Sequence, residues 1–84
     1  MQITFKLFAT LTDYLPADVR RRNQMSLEVS ENATLLQIIE PFGLPEKLVH
    51  LVLVNGTYIA PEDRSTRTLS EGDVLAIWPP IAGG

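Results

Sequence analysis

The amino-acid sequence predicts an α+β domain in which a single helix covers one sheet. Three observations carry that expectation. Apolar and polar residues alternate near the start of the chain, a capping signature precedes an apolar face at helical spacing, and Asn-Gly follows a β-branched run. The 84 residues are expected to form one domain, over 1–84, with 79–84 as an extended C-terminal tail. A chain this short buries only roughly two-thirds of its unfolded surface, so its core must be economical. At 45% hydrophobic and 20% charged residues, it is too apolar for a disordered segment.

Ile3, Phe5 and Leu7 alternate with Thr4 and Lys6, the period of a strand with one buried face. Met25, Leu27 and Val29 repeat the pattern and should pair with it as a hairpin. The connection is long for a hairpin, and Leu11, Tyr14, Leu15 and Val19 point to a helical turn within it. At its far end Arg20, Arg21 and Arg22 read as a solvated basic run, with docking of an acidic partner as the sharper alternative. No role is assigned to them.

Thr34 and Gln37 have the spacing of a capping box, and Leu35, Ile38, Ile39 and Phe42 lie on one helical face. Pro41 clashes with the carbonyl four residues before it, so this helix should be short or kinked near Glu40, with Gly43 as a left-handed cap. Leu48 to Val54 reads as a buried strand that turns at Asn55-Gly56 into a short return through Tyr58 and Ile59, cut off by Pro61. Residues 61–68 read as an exposed polar crossing loop without chemistry. Ser70 to Asp73 form a turn, and Val74 to Trp78 a last strand ended by Pro79 and Pro80.

Several function classes drop out. The absence of cysteine removes disulfides, thiolate metal sites and a cysteine nucleophile. A net charge of −3 disfavours nucleic acid and anionic membranes as partners. The start lacks a signal peptide's pattern and no apolar run approaches ~20 residues, so a cytoplasmic protein is expected. His50 is the lone histidine and reads as a solvated strand residue. Glu62, Asp63, Glu71 and Asp73 occupy turns, and Gly43, Gly56 and Gly72 are isolated, so neither a carboxylate pair nor a phosphate-binding loop is expected. No cofactor is expected.

Chemistry then falls to the end of the chain, Pro79-Pro80-Ile81-Ala82-Gly83-Gly84. Two terminal glycines arise by chance in roughly one chain in two hundred, but here they follow directly on a strand and a proline pair. A tail without bulky side chains can thread a narrow channel, and prolines upstream reduce the freedom it loses on entering. Extended, it spans about 20 Å. Its carboxylate is a poor electrophile and needs activation, for instance as an acyl adenylate, which no residue here could catalyse.

The order of elements and the ending GDVLAIWPPIAGG, with FKLFATL and the Asn55-Gly56 hairpin, resemble the MoaD/ThiS family of sulfur carriers. The resemblance implies a β-grasp, ubiquitin-like mixed sheet with one covering helix. It also implies a carrier rather than an enzyme: Gly84 adenylated by an E1-like enzyme and converted to a thiocarboxylate by a sulfur donor protein, with Gly83 its required neighbour. The Pro79-Pro80 pair looks more like the small subunit of molybdopterin synthase, which implies insertion into the large subunit, or another sulfur acceptor enzyme, for dithiolene formation. Pro41 and Arg20 to Arg22 depart from the family's pattern. Thiamine-type transfer, conjugation to lysines, or a non-covalent β-grasp interaction module are the alternatives.

By strand parity Leu75 and Ile77 should face the helix and Val74, Ala76 and Trp78 the opposite face. Trp78 is therefore the expected partner-binding residue beside the tail.

Overall fold

The computed structural model describes residues 1–80. Strand β1 (Gln2–Leu7) buries Ile3, Phe5 and Leu7 and pairs antiparallel with β2 (Gln24–Glu28), with Phe5 opposite Met25. Between them run two 3-10 turns, Ala9–Tyr14 and Ala17–Arg22, rather than one helical turn. They tuck Leu11 and Leu15 into the core and leave Arg20, Arg21 and Arg22 exposed on the second turn.

Helix α1 (Leu35–Ile39) opens with the expected reciprocal cap: the Gln37 amide donates to the Thr34 hydroxyl and the Thr34 amide to the Gln37 side chain. Leu35, Ile38 and Ile39 are buried. Pro41 cannot donate to the helical ladder, and the chain tightens into a 3-10 turn, Glu40–Phe42, that ends at Gly43 with φ 71°. The helix is therefore short.

The apolar run after it behaves differently from the sequence expectation. Only Leu51–Val54 forms strand β3, because the chain after Pro45 closes a 3-10 turn, Glu46–Leu48, with Leu48 N–H on the Pro45 carbonyl at 2.9 Å and Val49 N–H on that of Glu46 at 3.1 Å. Leu48 and Val49 are apolar because they pack half-buried against the core from this turn, not from the sheet. His50 is exposed as expected but lies just outside the strand. Asn55 and Gly56, both at positive φ (51° and 82°), make the two-residue turn into β4 (Thr57–Tyr58), and Ile59 follows with one further main-chain bond to Val52.

Strand β5 (Val74–Trp78) inserts between β1, parallel, and β3, antiparallel, giving the order β2-β1-β5-β3-β4. The mixed sheet with one covering helix is the β-grasp arrangement. Its core forms between sheet and helix, with Phe5, Leu7, Leu35, Val52, Leu75 and Ile77 wholly buried and Phe42 stacked on Phe5 at 4.4 Å.

Residues 61–68 correct the sequence reading. The segment is exposed except for Arg64, which is 5% exposed and is the one buried charged side chain among the described residues. Its guanidinium donates to three main-chain carbonyls: Ile59 at 3.1 Å, Val49 at 3.1 Å and His50 at 3.1 Å. These carbonyls lie where β3 begins and β4 ends, and no strand partner reaches them, so a donor-rich fork substitutes for the missing ladder. Replacing Arg64 by Met keeps most of the volume and removes every donor. The expected loss is about 3 kcal/mol of stability in urea denaturation, from carbonyls left unpaired; a loss within experimental error would show that water replaces the fork.

Candidate functional site

The end of β5 is held from both sides. Phe8 N–H donates to the Ile77 carbonyl at 3.1 Å and His50 N–H to the Trp78 carbonyl at 3.2 Å, so the last residue of the strand is fixed between the continuations of β1 and β3. Pro79 and Pro80 follow, half-buried and exposed respectively, and cannot extend the ladder. Chain leaving this point therefore has a fixed origin. Of the expected tail, Ile81, Ala82, Gly83 and Gly84 lie outside the described residues.

Parity along β5 is as expected: Leu75 and Ile77 are wholly buried toward the helix, while Val74 and Trp78 are half-buried on the other face. Trp78 does not stand alone. Its indole stacks on Phe8, centroids 4.0 Å apart and planes 3° from parallel. Across the sheet Leu51 lies opposite Trp78, Leu53 opposite Ala76, and Tyr58, 52% exposed, opposite Leu53. The result is a strip of apolar and aromatic side chains on the outer face, running from the end of β5 to β4 and half-buried except for the buried Ala76 and the exposed Tyr58.

Phe8 was not singled out from the sequence. The signal was available, since Thr4, Lys6 and Phe8 share the outward parity of β1. A large aromatic there is unexplained until the parallel pairing of β1 with β5 places it against Trp78. Ala9, next in the chain, takes φ 53°, a left-handed turn that swings the backbone away and leaves Phe8 on the outer face. Leu51 and Leu53 were read only as part of a buried run.

The remaining charged groups make ordinary surface contacts. Arg20 donates to the Leu15 carbonyl at 2.9 Å, and Asp73 accepts from Asn55 and from the Ser70 amide, bracing the turn before β5. The Met1 amine pairs with Glu28 at 2.7 Å, and that hydrogen bond is the main reason the amine's pKa is raised and the carboxyl's lowered. No group of three or more His, Asp or Glu among the described residues could hold a metal ion. Likewise, no helix there is long and apolar enough to cross a membrane. The arrangement is an apolar strip on the outer face beside a fixed point at which the chain leaves the sheet.

The chain matches the family described as Mut7-C ubiquitin over residues 1–82. No curated protein matches it by sequence. Among solved structures it is similar to SAMP1, small archaeal modifier protein 1 of Haloferax volcanii, at 25% identity and a TM-score of 0.68 over the whole of both chains. Two further likenesses concern the fold alone. One is to molybdopterin converting factor subunit 1 of Pyrococcus furiosus, as that protein is described (22% identity, 96% of this chain and 99% of that one, TM-score 0.70). The other is to a complex of subunits 1 and 2 of the molybdopterin-converting factor of Helicobacter pylori (19%, all of both chains, TM-score 0.61).

Because Trp78 is the single tryptophan, its fluorescence reports this face directly. Phe8→Leu removes the stacked ring and should shift the emission toward the red while lowering stability by about 1 kcal/mol. Phe5→Leu, in the core, should lower stability without moving the emission; an unchanged spectrum for Phe8→Leu would mean the stacked pair does not persist in solution.

Proposed function

We propose, from the premise that the chain belongs to the Mut7-C ubiquitin family, that it is a sulfur carrier whose working group is the C-terminal carboxylate of Gly84. The observation that carries the reading is the root of the tail: a central strand pinned on both sides at Ile77 and Trp78, followed at once by Pro79-Pro80-Ile81-Ala82-Gly83-Gly84. In this reading residues 1–78 are the handle and 79–84 the arm.

The chemistry follows from what a carboxylate lacks. One carboxylate oxygen attacks the α-phosphorus of ATP, releasing pyrophosphate and forming an acyl adenylate. Hydrosulfide delivered by a donor protein then attacks the carbonyl carbon, its proton passing to solvent, and AMP leaves with the electron pair of the broken C–O bond. The product is a thiocarboxylate on Gly84. An E1-like adenylating enzyme supplies the activation, so this chain is the substrate of its partners and performs no catalysis itself. We assign the acceptor step to dithiolene formation in molybdopterin biosynthesis, with the tail entering the large subunit of the synthase. The Pro79-Pro80 pair and the fold shared with the converting-factor subunits support that assignment.

The outer strip gives the partner something to hold. A flat, half-desolvated aromatic pair beside the tail contributes binding energy without restricting the arm. A second reading, conjugation of the same carboxylate to lysine amines, is favoured by the likeness to a modifier protein along the whole chain. It shares the adenylate and ends in an amide.

Intact mass spectrometry after incubation with ATP, a sulfur source and the cognate E1-like enzyme tests the reading. The expected result is a gain equal to replacing one oxygen by sulfur, lost when Gly84 is deleted. No gain with several activating enzymes proven on other carriers would overturn it, and conjugates of higher mass in cell extract would transfer the reading to lysine modification. Trp78→Ala should weaken binding of the activating enzyme by about tenfold, near 1.4 kcal/mol, while the protein stays folded. Unchanged affinity in a folded variant would remove Trp78 from the interface.

A further inference from the structure

The two edges of the sheet are built differently. Strand β4 is only two residues long and is cut off by Pro61, which leaves little edge to pair with. Strand β2 is five residues of extended chain with no proline, lysine or bulge. Its ladder with β1 uses the odd-numbered residues, since Leu7 N–H donates to the Asn23 carbonyl and Val29 N–H to that of Met1. The alternation of an antiparallel ladder therefore turns the N–H and C=O of Gln24, Ser26 and Glu28 outward. Among the described residues no main-chain bond is recorded for these outward groups.

We propose that this edge pairs with β2 of a second copy of the chain, antiparallel and centred on Ser26, joining two sheets into one. That register uses every outward group at once, matching Ser26 with Ser26 and Gln24 with Glu28 of the second copy. The charges flanking the strand favour the same register. Exposed Arg20, Arg21 and Arg22 precede β2, while exposed Glu28 ends it and exposed Glu31 follows, so antiparallel pairing sets the basic end of each copy against the acidic end of the other. Parallel pairing would set like against like. Glu28 is also bound to the Met1 amine and Gln2, which leaves Glu31 as the main acidic group at that end of the strand.

The helix-side face of the strand is self-complementary as well. Met25 and Leu27 are half-buried there and meet as a cross-strand pair, Met25 of one copy against Leu27 of the other. Leu27 lines an apolar groove of about 280 Å³ between β2 and α1, floored by Val29, Ala33, Ile38, Pro41 and Phe42. A methionine opposite its mouth is an adaptable side chain to fill it. Exposed ion pairs and a short ladder make a weak dimer, dependent on concentration.

The chain has no cysteine, which permits a direct test. Across a hydrogen-bonded pair the Cα atoms stand about 5.5 Å apart, within disulfide reach. In the full-length protein, Ser26→Cys should therefore form a covalent dimer under mild oxidation about tenfold faster than Ser65→Cys, an exposed control in the 61–68 segment. Light scattering of the unmodified chain should show the mass rising from 9.4 kDa toward twice that value as concentration approaches about 1 mM. Arg21→Glu should weaken the association and Glu31→Arg in the same chain restore it, with circular dichroism confirming that both variants fold. A constant single-chain mass together with equal cross-linking of the two cysteine variants would overturn the proposal, as would an edge that takes up only strands of other proteins.

Discussion

The parallel pairing of β1 with β5 is the contact on which the remainder depends. It joins Thr4–Leu7 to Val74–Ile77, so almost the whole chain must be closed into a loop before it forms, and the entropy of that closure is met only by extensive burial. The burial is there: Phe5 and Leu7 on one strand and Leu75 and Ile77 on the other are wholly excluded from water. Because the pairing makes β5 central, its end is bonded on both sides. A strand at an edge would fray on one side, and a tail growing from it would have no defined starting point. Here the carbonyls of Ile77 and Trp78 are both engaged, and the prolines that follow stop the ladder without loosening it.

A domain of this size cannot cover both faces of a five-stranded sheet. One short helix and several 3-10 turns close the inner face, and the outer face keeps a strip that is neither charged nor wholly buried. Trp78 and Phe8 lessen the exposure by stacking on one another, while Tyr58 marks the strip's other end. The strip thus follows from the same topology that centres β5: apolar residues opposite in parity to the core of β1, β5 and β3 lie beside one another across the strands, and Tyr58 also meets the Arg64 guanidinium, 6.0 Å from its ring centroid.

What could be read from the sequence is what depends on neighbours along the chain. Alternation defined β1 and β2, the turn at 70–73 and the Pro79-Pro80 stop bounded β5, Asn55-Gly56 defined the hairpin, Thr34 and Gln37 capped the helix, and Pro41 limited its length. What failed depends on partners far away. Leu48 and Val49 look like strand residues because burial against a core and burial within a sheet use the same side chains. Arg64 looked solvated because its three acceptors lie in two other segments, and nothing in PEDRST announces them. Phe8 gains its meaning only from the register of β1 with β5. For the site, elimination among residue types pointed to the terminal Gly83-Gly84, whereas the outer strip at Phe8 and Trp78 required the sheet order.

That sheet order also separates the two surfaces. Strands in a sheet are spaced about 4.8 Å apart, and β1 lies between β2 and β5, so the open edge and the end of β5 are roughly 10 Å apart. The open main-chain groups of β2 lie in the plane of the sheet, while Phe8 and Trp78 project from its outer face. Two copies joined at β2 would leave both outer strips uncovered on the same face and both ends of β5 unobstructed. The topology that fixes the end of β5 in one copy therefore also permits two such ends on one continuous sheet, the paired edge and the outer strip using different atoms.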